Sequence, residues 1–192
     1  PLAAACAIVV AIVVGLLLHR LAIEPARGAD AVTLIIITIG ASIFLRSGAS
    51  IVFDKQFHTL PPFTGDAPIV VGGAAILPQS LWVLGGGVVI VTLLWAFLTH
   101  TILGKAILAT AANRLAARLV GINTSYVVGL SFAVSAAIGA IAGILVSPIT
   151  LTRYDVGTLL ALKGFAAAMV GGMGSPIGAI VGGLLIGLLE AF

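Results

Sequence analysis

Long apolar runs separated by polar stretches dominate this chain. The apolar runs cover residues 2–18, 31–45, 81–98, 127–146 and, with glycines in its middle, 164–189. A helix needs about 20 apolar residues to cross the hydrocarbon core of a bilayer. The runs are continuous, whereas the strands of a membrane barrel would alternate apolar and polar residues. The pattern therefore predicts an all-α polytopic membrane protein with about five transmembrane spans.

The main polar interruption in the second half is 104–126, GKAILATAANRLAARLVGINTSY, which we call the cationic segment. Apolar residues at steps of three and four predict one amphipathic helix over 105–119. Gly121 follows as a helix stop. Two interpretations stay open: a loop that lies on anionic headgroups, or a docking element for a cytoplasmic partner. No acidic residue occurs in the segment, and its cations are Lys105, Arg114 and Arg118.

The stretch 46–80 is predicted to be an extracytoplasmic loop. Its many prolines exclude a long helix. Within it, residues 69–71 and 74–77 flank Gly72-Gly73, which is typical of a small β-hairpin with a tight turn. His58 has no accompanying cluster of His, Cys or carboxylates, so a solvated histidine is favoured over a metal ligand.

Small and hydroxyl-bearing residues within the spans are candidates for a solute path and for helix packing. For Thr38 and Ser42, bonding back to carbonyls of their own helix is favoured over lining a polar path. For the stripe of Ser131, Ser135, Gly139 and Gly143, helix packing is favoured over lining a pore. Glycines four residues apart let two helices approach closely. The path candidates are Thr38, Ser42, Ser131, Ser135 and Ser175. The packing candidates are Gly139, Gly143, Gly178 and Gly182.

The stretch 147–163 is expected to leave the membrane, and a glycine-rich break follows it. Residues 171–176, GGMGSP, cannot sustain a helix, so we expect a broken helix of two pieces near the C-terminus. A break at membrane depth must be buried in protein or face a cavity, where freed backbone groups can bind substrate. A simple turn between two helices is the alternative.

Composition supports the membrane assignment and excludes several functions. Hydrophobic residues make up 61% of the chain and charged residues 8%, against about a quarter charged in soluble domains. The net charge of +3, without a basic patch carrying aromatics, does not indicate nucleic-acid binding. Cys6 is the only cysteine, so neither an internal disulfide nor a cysteine metal cluster is expected. No catalytic constellation or nucleotide loop occurs, so we expect no enzyme activity and no cofactor.

The spans contain almost no ionisable residues, which argues against an ion-coupled transporter. Energy for transport would then come from a partner. Positive residues favour the cytoplasmic side. Placing the loops 19–30 and 100–126 there puts slightly more Lys and Arg residues on that side than on the other. That side would hold Arg20, Arg27, Lys105, Arg114 and Arg118, and the other side Arg46, Lys55, Arg153 and Lys163.

Four stretches resemble the branched-chain amino acid ABC transporter permeases of the LivH type. They are EPARGAD at 24–30 with the TLIIITIGASIFL that follows, GKAILATAANRLAARLVGIN at 104–123, SFAVSAAIGAIAGIL at 131–145, and LKGFAAAMVGGMGSPIGAIVGGLLIGLLEA at 162–191. The second and fourth together are specific, whereas either alone would be a weaker signal. We expect residues 1–192 to be a single transmembrane permease domain that is part of a longer protein.

The resemblance implies a subunit that moves branched-chain or other apolar amino acids across the inner membrane of a bacterium or archaeon. A second permease, two cytoplasmic ATP-binding subunits and a periplasmic or lipid-anchored binding protein would complete the importer. The cationic segment would then rest on an ATP-binding subunit, with Lys105, Arg114 and Arg118 as candidate contacts. An ABC permease for urea, short amides or sugars, or a channel or carrier outside that class, is the alternative.

Overall fold

The computed structural model describes residues 2–26, 31–52, 60–65, 69–71, 74–150, 156–172 and 176–191. Helices dominate these residues. They are α1 (Leu2–Leu18), a π-helical turn (His19–Ile23), α2 (Ala31–Val52), α3 (Pro78–His100), α4 (Ile102–Ala112), α5 (Arg114–Leu119), α6 (Thr124–Val146), α7 (Val156–Gly171) and α8 (Pro176–Ala191). Two short strands, β1 (Ile69–Val71) and β2 (Ala74–Ile76), lie between α2 and α3.

Four helices are long and apolar enough to cross a membrane: Leu2–Ile23, Val32–Val52, Pro78–His100 and Thr124–Val146. Each has 21 to 23 residues, which meets the requirement of about 20. Their large apolar side chains are mostly exposed, and the buried apolar residues of the described part are small in number. This distribution fits helices that face lipid or further protein rather than a soluble core.

Helices α1 and α6 pack antiparallel. A Cβ on Gly15 would lie 2.8 Å from the Cβ of Ala136, so this glycine permits a close approach. One turn further along α1, the His19 ring lies 5.8 Å from the Phe132 ring. The Ser125 hydroxyl donates to Glu24 Oε1 at 3.1 Å. The end of α1 therefore lies beside the beginning of α6.

Helix α3 also runs antiparallel to α6. The buried Gln79 side chain donates from Nε2 to the carbonyl of Leu145 at 2.9 Å, and its Oε1 accepts the Phe63 N–H at 3.2 Å. These contacts join the start of α3 to the end of α6. The α1–α6 and α3–α6 pairs together place residues 19–26 and 101–123 at one end of the bundle.

Two predicted boundaries at this level were wrong. The π-helical turn continues α1 into the predicted loop 19–30, because a run of 17 residues is shorter than the core of a bilayer. Helix α2 continues through Arg46 to Val52, since the first proline of the predicted loop 46–80 comes only at Pro61. Helix α7 begins at Val156, within the stretch 147–163, whose position outside the membrane stays a prediction.

The two strands pair antiparallel, with Ile69 opposite Ile76 and Val71 opposite Ala74. The strand segments lie where the sequence pattern predicts a hairpin. Its turn, Gly72-Gly73, lies outside the described residues, as does His58. The predicted position of this loop on the extracytoplasmic side stays a prediction.

The C-terminal region forms a helical hairpin of the two predicted helical pieces, α7 and α8. Gly182 of α8 packs on the backbone of Ala167, and Gly171 of α7 packs on Gly178. Lys163 and Glu190 form an ion pair further from the turn. These contacts pair the end of α7 with the beginning of α8 and the beginning of α7 with the end of α8, so the two helices are antiparallel. Each has 16 residues, or about 24 Å, which is short for a complete crossing.

Candidate functional site

The chain bends sharply between α3 and α4, just before the cationic segment. Thr101 is extended (φ −101°, ψ 150°), and its hydroxyl accepts the Gly104 N–H at 2.9 Å. The same hydroxyl donates to the carbonyl of Phe97 at 2.6 Å. A Cβ on Gly104 would clash with Phe97 O and would lie 2.5 Å from Leu98 Cα. The glycine therefore allows α4 to fold back against the end of α3.

The cationic segment contains two helices, so the prediction of one helix over 105–119 was wrong. Asn113 interrupts it in an extended conformation (φ −154°, ψ 103°). Its Oδ1 accepts the Ala116 N–H at 3.0 Å and so caps α5. Asparagine side chains compete with helical backbone bonds and favour caps over helix interiors. The good helix formers on both sides of Asn113 are therefore divided into α4 and α5.

The predicted stop at Gly121 is confirmed. Gly121 has a positive φ of 88°, which glycine adopts without a steric penalty. The N–H of Ile122 donates to the carbonyl of Ala117, and the N–H of Gly121 donates to that of Arg118, both at 3.0 Å. These two bonds form a Schellman motif. The chain then enters α6, whose first turn Asn123 caps by accepting the Tyr126 N–H at 3.2 Å.

The three cations of the segment occupy different surroundings. Lys105 is exposed on α4. Arg118 is also exposed, but its Nε donates to the hydroxyl of the buried Thr124 at 2.9 Å. Arg114 is half-buried, and its Nε is fully covered without a hydrogen-bond acceptor among the described residues. Lys105 and Arg118 are therefore open to a partner or to solvent, whereas Arg114 lies partly inside the fold.

Arg114 is one of the residues that line a cavity of about 320 Å³, which we call the His19 cavity. It lies among the π-helical turn, α2, α5 and α6. Its polar lining consists of His19, Glu24, Thr38 and Arg114. Its apolar lining consists of Ile23, Leu34, Ile35, Val128 and Phe132. The described residues contain no group of three or more His, Cys, Asp or Glu side chains that could hold a metal ion.

The π-helical turn brings His19 and Glu24 to the same cavity. The Glu24 N–H donates to the carbonyl of His19 at 2.8 Å, five residues back. In an α-helix, residues five apart would point about 140° away from each other, whereas the wider π-turn narrows this angle. Single π-turns of this kind often mark functional sites.

Sequence reasoning missed both residues by assigning them to a solvated loop. His19 is 8% exposed and is packed against Gly129, on which a Cβ would lie 3.1 Å from His19 Nδ1. One signal was available, because the apolar run before His19 is too short to span a bilayer and the helix had to continue.

A second opening of about 660 Å³, the α2–α7 groove, carries the hydroxyl candidates of α2. Thr38 and Ser42 line it together with Arg46, whose Nη1 donates to the Thr158 hydroxyl at 3.2 Å. Thr38 also lines the His19 cavity, so it lies between the two openings. Its hydroxyl donates to the carbonyl of Ile35 at 2.8 Å.

The remaining candidates have separate positions. The Ser131 hydroxyl donates to the carbonyl of Val127 in its own helix at 3.0 Å. Ser135 is exposed on α6. Ser175 lies outside the described residues.

The packing candidates fall into two pairs. Gly178 and Gly182 face α7 at short range within the helical hairpin. Gly139 and Gly143 are exposed on α6, and a Cβ on either would meet no atom of the described chain within 4 Å.

Comparison with known proteins identifies a family to which this chain is similar. The model of the branched-chain amino acid transport system permease component matches residues 1–192. The chain is 35% identical over 193 residues to the high-affinity branched-chain amino acid transport system permease protein LivH of Escherichia coli (strain K12), covering 96% of this chain and 62% of that protein. It is 30% identical over 195 residues to the corresponding protein BraD of Pseudomonas aeruginosa, with 98% and 63% covered.

The ribose import permease protein RbsC of Escherichia coli (strain K12) is 26% identical over 166 residues, covering 81% of this chain and 50% of that protein. The chain thus spans less than two thirds of the length of these curated relatives. No solved structure matches it.

Proposed function

The chain belongs to the branched-chain amino acid transport permease family, and from this premise we propose that it forms the membrane path of an ATP-driven amino acid importer. The observation that carries this proposal is the family match over all 192 residues. The solute is a branched-chain or other apolar amino acid, which passes by alternating access. The chain catalyses no reaction, because ATP hydrolysis takes place in separate subunits.

The complete importer contains a second, homologous permease and two cytoplasmic ATP-binding subunits. A periplasmic or lipid-anchored binding protein delivers the solute, and the assembly lies in the cytoplasmic membrane of a bacterium or archaeon. The common location of residues 19–26 and 101–123 at one end of the bundle supports a cytoplasmic position for both. In this orientation Lys105 and Arg118 present positive charge to an ATP-binding subunit, and the strand pair lies on the opposite side. Helices α1, α2, α3 and α6 cross the bilayer, and the α7–α8 hairpin enters it.

The hydroxyls of α2 line part of the solute path in this proposal. Thr38 and Ser42 both face the α2–α7 groove, where a hydroxyl can bond a zwitterion's end groups without placing a net charge in the membrane. We expect Thr38→Val combined with Ser42→Ala to raise the KM for leucine uptake by about two- to tenfold, the effect of losing neutral hydrogen bonds. Uptake kinetics in proteoliposomes measure this. Ser50→Ala on the same helix is the control, because Ser50 is not among the residues that line the groove. An unchanged KM in the double variant would remove Thr38 and Ser42 from the path.

A sugar permease is the second candidate, because the ribose permease RbsC resembles 81% of this chain. The LivH resemblance is higher in identity and in coverage, so amino acids are the proposed cargo. Urea and short amides are the alternative cargoes of the same architecture, and a channel or carrier would need no ATP.

Uptake by the reconstituted importer tests the proposal. Proteoliposomes would contain the full-length protein with its second permease, ATP-binding subunits and binding protein, and would receive labelled leucine, ribose or urea with and without ATP. We expect leucine uptake that requires ATP and competition by isoleucine and valine. ATP-dependent uptake of ribose or urea alone would change the cargo, and uptake without ATP would contradict the ABC assignment.

A further inference from the structure

We propose that Arg46 binds the carboxylate of the transported amino acid in the α2–α7 groove and thereby selects amino acids over uncharged molecules of the same shape. This inference rests on the proposed function and adds a charged contact to the groove whose hydroxyls, Thr38 and Ser42, we propose to line the solute path. The position of Arg46 within α2, its polar contacts and the lining of the groove point to this role.

Arg46 lies inside a helix that is long and apolar enough to cross a membrane. The candidate span covers Val32–Val52, so about 9 Å of helix separates Arg46 from the end of the span. An arginine within a span is costly and almost always faces the interior of the protein or a water-filled cavity, where it marks a solute pathway. Arg46 meets this expectation, because it is half-buried and lines the α2–α7 groove.

The guanidinium of Arg46 has donors available for a ligand. Its Nη1 donates to the Thr158 hydroxyl of α7 at 3.2 Å, and within the described residues its side chain makes no other polar contact. A guanidinium carries five N–H donors in a planar fork, so this bond leaves the parallel Nε–H and Nη2–H pair unused. Such a pair matches a carboxylate in shape and charge. Thr158 therefore holds the guanidinium in place, and the remaining donors can bind a carboxylate.

The lining of the groove suits an anion that has an aliphatic tail. None of the described residues that line it is acidic, so no carboxylate among them neutralises Arg46. The hydroxyls of Thr38 and Ser42 can accept hydrogen bonds from an ammonium group. The apolar lining consists of Ile39, Leu45, Ala49, Ala161, Leu162 and Phe165. The volume of about 660 Å³ lies within the range for small-molecule sites, about 300–1,000 Å³.

A phospholipid also joins an anionic group to apolar chains, but the polar row along α2 favours the solute. Thr38, Ser42 and Arg46 follow one another at steps of four residues and share one face of the helix. The row extends about 12 Å from Arg46 across the middle of α2. A lipid phosphate stays at the membrane surface and needs only the arginine, whereas hydroxyls deeper on the same face serve a polar molecule that moves inward.

The position of Arg46 also gives an order of contacts along the path. In the proposed orientation α2 ends on the extracytoplasmic side, so Arg46 lies where the solute arrives from the binding protein. The carboxylate would meet Arg46 first, and the hydroxyls of Ser42 and Thr38 would follow further inside. Thr158 acts through Arg46 and is a positioning residue.

Competition by an analogue tests the carboxylate contact. The full-length protein with its second permease and ATP-binding subunits, but without binding protein, would be placed in lipid nanodiscs, and binding of labelled leucine would be measured by scintillation proximity. Leucinamide keeps the ammonium group and the side chain but lacks the carboxylate. Arg20→Gln is the matched control, because Arg20 is an exposed arginine that does not line the groove. Nanodiscs with and without anionic phospholipid separate a solute contact from a lipid contact.

We expect wild type and Arg20→Gln to bind leucine at least about tenfold more tightly than leucinamide, because the carboxylate adds a charge-assisted contact. Arg46→Gln should lose this preference, since leucine binds more weakly while leucinamide keeps its affinity. Arg46→Lys should keep part of the preference, because an ammonium group retains the charge but not the paired donors. The lipid composition should not change these ratios.

Several results would overturn the role of Arg46. An unchanged preference in Arg46→Gln would remove the contact, and equal weakening of leucine and leucinamide would mean a structural role. An effect of Arg46→Gln that appears only with anionic phospholipid would assign the guanidinium to a lipid phosphate. Absence of leucine binding to wild type would mean that the groove holds no solute by itself.

Failure of this contact differs from failure of the proposed function. ATP-driven leucine uptake by the complete importer, together with any of those four results, would overturn the Arg46 proposal alone. Absence of ATP-driven leucine uptake would contradict the function itself.

Discussion

Reversing the charges of Lys105 and Arg118 together is expected to abolish ATP-driven uptake and to release the ATP-binding subunits. Both residues are exposed at the end of the bundle that we propose to be cytoplasmic, and the cationic segment has no acidic residue that would offset the change. Like charges brought together in an interface cost several kcal/mol, and each 1.4 kcal/mol is a factor of ten in affinity. We therefore expect the double variant Lys105→Glu/Arg118→Glu to lose at least about tenfold in uptake and in subunit affinity.

Two measurements check this prediction: co-purification of the ATP-binding subunits, and uptake of labelled leucine in proteoliposomes. Arg20→Glu controls for reversing a charge at the same end of the bundle, because Arg20 is exposed and lies outside the cationic segment. It should keep both properties. If the double variant retained its partners and its uptake, the segment would be a lipid-facing loop and the docking proposal would be wrong.

The structure changes which residues belong in that test. The sequence places Arg114 and Arg118 four apart on neighbouring helical positions, and a single helix would present both to the same partner. The break at Asn113 shortens the second helix to Arg114–Leu119, and Arg114 is half-buried and lines the His19 cavity. The helix break at Asn113 depends only on nearby residues. The position of Arg114 after that break also depends on how α5 packs against α6.

Helix positions were largely predictable, because the bilayer sets a length that apolar runs must meet. The four long helices lie where the sequence has its first four apolar runs, and the Gly121 stop follows from the positive φ of a Schellman motif. The His19 cavity was not predictable. It needs a π-turn that rotates Glu24 towards His19, and the sequence HRLAIEP carries no local marker for the extra residue in that turn. Contacts between elements distant in sequence decide such geometry.

Contacts between separate elements also decide how the two C-terminal helices pack. The sequence correctly indicates that GGMGSP divides two helical pieces, but direction after the break depends on whether the second piece finds a surface to pack on. Gly171 and Gly182 supply that surface, since each lets backbone of one helix touch the other. Small residues at helix contacts permit this in membranes, where no hydrophobic effect drives helices together. The hairpin is therefore specified by the close contacts at Gly171 and Gly182, because α7 and α8 make these contacts only when they lie side by side.

Gly182→Ala is expected to separate α7 from α8 and to inactivate the protein. A Cβ at this position would clash with the carbonyl oxygen of Ala167 and would lie 2.9 Å from the backbone nitrogen of Gly171. Backbone atoms cannot rotate away as a side chain can, so the helices must move apart. Overpacking of this kind typically costs about 1–3 kcal/mol and occasionally more. In an unobstructed helix the same change is favourable by about 1 kcal/mol, so the expected sign is opposite to intrinsic helix propensity.

Gly183→Ala supplies the matched comparison, because the next residue along the helix has room for a methyl group. A Cβ at Gly183 would lie 3.9 Å from the Cβ of Ala167, which is an ordinary contact. Thermal unfolding of the purified full-length protein, followed by gel filtration after heating, should therefore show a lower midpoint for Gly182→Ala and an equal or higher one for Gly183→Ala. Leucine uptake should follow the same order. Equal midpoints in the two variants would mean that α7 and α8 do not touch at Gly182, and the hairpin would have to be replaced by two separated helices.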